Sequence, residues 1–195
     1  MSSAALSQPV PRLSRKHGGN PQPPRAVAPL VAVLDQLAAL LRDMSDGQYV
    51  TKPVGGVASS LGEQVRHCLD HVDAVLRGIE CGAVDYDRRE RGTPVETCRA
   101  AAQEALRRLR HQLSALPPHA AGWPLRLAVG RGGDAPSDEV QTSVGRELAF
   151  VLSHTIHHNA LIGVMAGALG VSVPPFFGYA PSTLEHLQET GRCAQ

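Results

Sequence analysis

The residues of this chain best suited to chemistry are histidines, and they fall in two short stretches. Residues 147–170, ELAFVLSHTIHHNALIGVMAGALG, carry His154, His157 and His158 inside an apolar run, and residues 65–72, VRHCLDHV, carry His67 and His71. Imidazole is costly to bury unless its ring nitrogens find partners, so histidines in an apolar run need a reason. An i, i+4 spacing on a helix sets two side chains one above the other, near enough for two imidazoles to share one first-row metal ion. His154 and His158 have that spacing, and so do His67 and His71. A single pair suits two hydrogen-bonded core histidines equally well. A second pair on another helix shifts the reading toward a metal.

Helical periodicity sorts these histidines. In the later stretch Val144, Leu148, Val151, Thr155, Ile162 and Leu169 form an inward stripe. His154 and His158 lie on its border with Glu147 and Met165, whereas His157 points away. In the earlier stretch the apolar centre lies near Leu61, Val65, Val72 and Ile79. That places His71 about 100° and His67 about 140° from the centre, so His71 is the more inward of the two. The remaining histidines, His17, His111, His119 and His186, fall in tail, basic-face or loop positions. Cys68 next to His67 suggests a nucleophile and its base, but neighbouring helical residues point about 100° apart, which disfavours the pairing.

The elements that carry these residues are legible from pattern. Residues 1–25 hold five prolines and scattered basic groups and read as a flexible tail, with one domain over 26–195. Helix one spans about 28–44, and helix two about 60–80 behind the capping-box pair Ser60 and Glu63. Helix three starts at Thr93-Pro94-Val95-Glu96 and runs with an apolar stripe to Pro117. The stretch WPLRLAV, the turn GRGGDAP and EVQT read as a small hairpin or extended crossover. Helix four runs from Thr142 or Ser143 to about Leu169, with Gly170 as its cap, and a short helix follows from Ser182. The economical architecture is all-α: a four-helix bundle with a short hairpin or extended crossover before the last long helix. Bundles build metal sites in the core between facing helices.

Composition narrows the partners. A net charge of +1 supplies no strong field for a phosphate backbone, which argues against nucleic acid. With 43% hydrophobic and 19% charged residues the chain has ordinary globular composition. No signal-peptide pattern and no membrane-spanning run is read, so a cytoplasmic protein without membrane contact is expected. The four cysteines show no C-x-x-C spacing and read as reduced, buried apolar residues.

The segments GEQVRHCLDHVDAVL, GRELAFVLSHTIHHNALIG and FGYAPSTL, in this order, resemble the DinB-like (DinB/YfiT) metalloenzyme superfamily over about residues 28–190. The resemblance implies a four-helix bundle in which one histidine of the second helix and an H-x-x-x-H pair of the last long helix bind a divalent metal with open positions. By position these are His67, His154 and His158. His71, one turn on, would line the pocket or support a ligand, and Glu147 and Asp70 are further candidates for such support. Bacillithiol- and mycothiol-related members and the metal domain of sulfoxide synthases show what the site can support. The sulfoxide synthases commonly carry a glutamate two residues after the second histidine of the pair, where this chain has Ala160.

Three neutral imidazoles leave a divalent ion able to activate a water or a thiol, and the set suits zinc, nickel or iron. The expected function is a metal-dependent hydrolase or thiol-linked transferase acting on a small molecule, which could itself be a thiol. A non-catalytic metal- or ligand-binding bundle is the alternative, and an interaction module with hydrogen-bonded core histidines is a third class. An exposed apolar helix face would suit a homodimer. The segment FFGYAPSTLEH reads as core packing for Phe176 and Phe177, with a pocket wall as the alternative.

Overall fold

The computed structural model describes residues 24–53, 58–88, 90–130, 138–189 and 191. The tail expected over 1–25 and the turn GRGGDAP lie mostly outside them. The chain is mostly helical. Helix α1 spans Val27–Arg42 and α2 spans Asp46–Val50; α3 covers Leu61–Cys81, α4 Pro94–Thr97, α5 Arg99–Ser114, α6 Val144–Ala168 and α7 Pro181–Glu189. Among the described residues the strands are β1 Ala83–Val84, β2 Pro124–Val129 and β3 Asp138–Ser143.

Apolar spacing decides the packing. Leu30, Leu34, Leu37 and Leu41 of α1 meet Val65, Cys68 and Val75 of α3 and Leu106 and Leu113 of α5 in one core, all fully buried. Each fully buried leucine contributes about 1.5–3 kcal/mol of transfer free energy. Helix α3 packs against α5 and α6, and α1 packs against the same two. The two helices that carry histidine pairs are therefore neighbours. The inward stripe of α6 is as expected, with Val144, Leu148, Val151, Thr155 and Ile162 buried, and Asn159 on the same helix donates to the Val33 carbonyl of α1 at 3.2 Å. By length and composition α6 is apolar enough to cross a membrane, contrary to the sequence expectation, but its inward stripe belongs to the core.

The ends of the helices follow their capping chemistry. At the start of α3, Ser60 Oγ accepts from the Glu63 amide at 3.2 Å and Glu63 accepts from the Ser60 amide at 2.6 Å, the reciprocal box the sequence predicts. Ser143 caps α6 by accepting from the Arg146 amide, and Gly170 turns the chain out with a φ of 73°. Helix three departs from expectation. Cys98 is extended, with φ −122° and ψ 106°, and splits it into α4 and α5, and the Thr93 side chain makes no cap. The reason is tertiary. Glu96, instead of closing a capping box, accepts from the Gly92 amide and lies 2.6 Å from Arg66 of α3, close as an ion pair although not aligned as a hydrogen bond. The Tyr49 hydroxyl donates to the Val95 carbonyl at 2.6 Å.

The all-α expectation also needs correction, because the crossover region forms a three-stranded sheet in the order β1-β2-β3. Strands β2 and β3 make the expected antiparallel hairpin, with Leu127 opposite Val140. Strand β1 joins in parallel through Ala83 and Val84. Two residues between α3 and the next loop carry no alternating pattern, so pairing alone reveals them. The sheet links the end of α3, through Gly82, to the start of α6, where Ser143 is both the last residue of β3 and the helix cap.

After α6 the chain folds back along it. Phe177 is buried and meets Gly163, and Gly178 has φ 76° with its backbone so near Ala160 that a Cβ would lie 2.5 Å from the Ala160 nitrogen. Only glycine fits there. Phe177 is thus core, as expected, while Phe176 stays 37% exposed.

Candidate metal centre

The i, i+4 pairs of α3 and α6 meet face to face. Ring centroids of His67 lie 4.5 Å from His71, 4.9 Å from His154 and 4.5 Å from His158. His71 and His154 are 4.1 Å apart and stacked, and His154 and His158 are 4.4 Å apart. His157, one residue from the cluster in sequence, is exposed, as periodicity predicts. His71 is buried while His67 is only partly so, which agrees with the angular reading that made His71 the more inward.

Three of these residues, His67, His71 and His154, each offer a ligand atom within 4.8 Å of the others. His67 Nε2 and His154 Nε2 are 3.0 Å apart. Two nitrogens bound to one tetrahedral zinc at its usual bond length sit about 3.3 Å apart, so this pair needs little movement to ligate. His71 Nδ1 is 2.8 Å from the His67 carbonyl. A carbonyl only accepts, so Nδ1 carries a proton, and in the neutral ring Nε2 is then the atom with a lone pair for a cation. His158 is arranged likewise, its Nδ1 donating to Gln64 Oε1 at 2.8 Å. Burial first, then the neighbouring His154 and His157, push the His158 pKa down to about 4, so its imidazole is neutral near pH 7. A neutral ring with one nitrogen tied to an acceptor is the state in which histidine binds metal. The donor set therefore fits a divalent ion, with His67 and His154 central and His71 and His158 one on each side.

The supporting residues proposed from sequence take different places. Glu147 is fully buried and accepts from the Tyr86 hydroxyl at 2.7 Å, Thr142 Oγ1 at 2.5 Å and Arg146 Nη1 at 2.8 Å. It reaches the histidines through Tyr86, whose ring stacks on His71 at 5.1 Å and 17°. Asp70 pairs with Arg66 at 2.5 Å, and Arg66 links it to Glu96. Cys68 is fully buried, and desolvation first, with Asp70 second, pushes its thiol up to about 12, so it is no nucleophile. Cys81 and Cys98 are exposed, against the expectation that the cysteines are buried.

Three site residues escaped the sequence reading. Gln64 lies three residues before His67 on the same helical face, a spacing that could have revealed it. Phe150 precedes His154 by four and stacks on it at 5.7 Å. Tyr86 had no local signal, because β1 and its pairing bring it in. Tyr86 and Phe150 touch at 5.2 Å beside His71 and His154. Beside the cluster a cavity of about 390 Å³ is lined by His67 and His158 together with Gln64, Glu63, Arg66 and Glu96.

Comparison with known proteins bears on the fold and the family. The chain is 37% identical over 107 residues to FK506-binding protein 5 of Rhizopus delemar, a stretch that makes up 54% of this chain and 28% of that protein. The chain thus spans little more than a quarter of the length of that curated relative. Its fold resembles the crystal structure of a DinB-like protein, YjoA, from Bacillus subtilis, with a TM-score of 0.56 at 17% identity over 78% of this chain and 98% of the other. The DinB superfamily profile matches residues 30–162, which include α3 and the part of α6 that carries the histidines. On that match the chain belongs to the DinB superfamily.

Proposed function

We propose that this chain is a metal-dependent enzyme, a hydrolase or thiol-linked transferase, that acts on a small molecule at the histidine cluster between α3 and α6. One observation supports it most: ligand nitrogens of His67, His71 and His154 converge within 4.8 Å, and His67 also lines the 390 Å³ cavity beside them. A purely structural cluster has no need of such an opening. In this reading His67 and His154 hold the ion, and His158, as the family resemblance implies, or His71, which lies nearer in the structure, completes the set. The helices α1, α3, α5 and α6 form its four-helix bundle.

A divalent cation bound by neutral imidazoles supplies Lewis acidity, which makes a water or a thiol easier to ionise near neutral pH. The protein's own residues do the rest. Gln64 holds His158, the His67 carbonyl holds His71, and the cavity admits a ligand of modest size on the His67 and His158 side. The paired Arg66 and Glu96 form part of its wall.

The test is a panel of thiol-transfer and hydrolysis reactions run with zinc-, nickel- or iron(II)-loaded protein and with His154→Ala. Turnover that needs the metal and vanishes in the variant is the expected result. Stoichiometric metal without turnover on any of them would favour the second reading, a non-catalytic metal- or ligand-binding protein.

A further inference from the structure

We propose that Tyr86 is a positioning residue that fixes the His71 imidazole, and that the buried Glu147 carboxylate holds Tyr86 in place for this task. The inference rests on the metal reading for its purpose but not for its geometry. Besides its stack on His154, two contacts bear on the His71 ring. Its Nδ1–H donates to the His67 carbonyl at 2.8 Å, which sets the edge of the ring, and the Tyr86 ring lies nearly parallel to it at 17°, which sets its tilt. A hydrogen bond at one ring atom leaves the plane free to rock, and a stacked ring removes that freedom. Together they hold a ring that has a ligand atom within 4.8 Å of those of His67 and His154.

Tyr86 in turn is held at its far end. Its hydroxyl donates to Glu147 Oε2 at 2.7 Å, and burial and the carboxylate both push the phenol pKa well above its ordinary value, so it stays a donor. Glu147 cannot swing away, since Thr142 and Arg146 also donate to it and the side chain has no solvent exposure. Phe150 lies against the Tyr86 ring at 5.2 Å. Every member depends on the small sheet. Tyr86 lies two residues beyond β1, Thr142 belongs to β3, and Glu147 is in the first turn of α6 that β3 leads into. That gives the sheet a task beyond linking helices. Donation to a carboxylate also enriches the phenol ring in electrons, the better face for an imidazole that a cation has drained.

The experiment compares wild type with Tyr86→Leu, Tyr86→Phe and Glu147→Gln, using ¹⁵N NMR of the histidine rings in metal-free protein and zinc competition titrations, with a thermal melt of each. We expect His71 in wild type to show the Nδ1–H tautomer, and Tyr86→Leu to lose it to averaging. Zinc affinity should fall about tenfold in Tyr86→Leu, the usual scale for losing a group behind a ligand. Tyr86→Phe, which keeps the stacked ring but loses the hydrogen bond to Glu147, should fall between wild type and Tyr86→Leu. If Tyr86→Leu does not fold, Glu147→Gln carries the same comparison. An unchanged His71 tautomer in Tyr86→Leu, or in Glu147→Gln where the leucine variant is unfolded, would overturn the proposal. A wild type that binds no zinc would sink the metal reading, while the ring tautomers would still decide the role of Tyr86.

Discussion

Cys68 and His67 are neighbours in sequence yet point to different surroundings, and the thiol shows the consequence. Full burial raises its pKa to about 12, whereas Cys81 and Cys98 are exposed. In native protein treated with an alkylating reagent, peptide mass spectrometry should find Cys81 and Cys98 modified and Cys68 intact until the chain is unfolded. Labelling of Cys68 at the pace of the exposed pair would mean that the α3 core is not packed as described. At this scale the sequence was most informative about the histidines, because an i, i+4 pair is a local geometric fact. His71 shows how far such reading goes: the angular argument found it inward, and the structure has it buried within the converging trio. Tyr86 shows the limit, since nothing within several residues of it hints at a ring stacked on His71.

Helix ends and helix contacts make the next predictions. Ser60→Ala removes the cap of α3 and should cost about 1 kcal/mol, read as a lower denaturation midpoint with unchanged slope. The Ser60 amide, first among the causes, also holds the Glu63 carboxyl below its ordinary pKa. A carboxyl lowered in the folded state stabilises at neutral pH, and that contribution is lost as pH falls below its unfolded value. Glu63→Gln should therefore flatten the acid side of a stability-against-pH curve; an unaltered curve would mean that the capping box does not form in solution. Gly62 tests the α3–α4 contact. A Cβ there would lie 2.0 Å from the Glu96 carbonyl oxygen, so Gly62→Ala should destabilise by about 1–3 kcal/mol, although alanine is the better helix former. A neutral or stabilising result in a thermal melt would contradict the docking of α4 on α3. That docking is also why helix three is not continuous as its pattern predicts: Glu96 has both the capping-box spacing and an arginine within reach, and the tertiary partner wins.

Across the whole molecule, the apolar stripes of α1, α3, α5 and α6 made the helical architecture readable in advance, because each stripe must be covered by another. What was not readable was the sheet, since β1 has two residues and exists only by pairing with β2. The sheet ties the end of α3 to the start of α6, and its neighbourhood supplies Tyr86, Thr142 and Glu147 to the site. The histidine cluster and Glu147, which follow helical period, were thus legible, whereas Tyr86 and Thr142, which come from a loop and a strand, were not. The most direct measurement is metal content by mass spectrometry of untagged protein after exposure to zinc, nickel or iron(II), for wild type, His67→Ala and His154→Ala. A centre between α3 and α6 predicts about one ion per wild-type chain, lost in both variants while their folds persist by circular dichroism. A wild type that takes up none of the three metals, or variants that keep the ion, would contradict it.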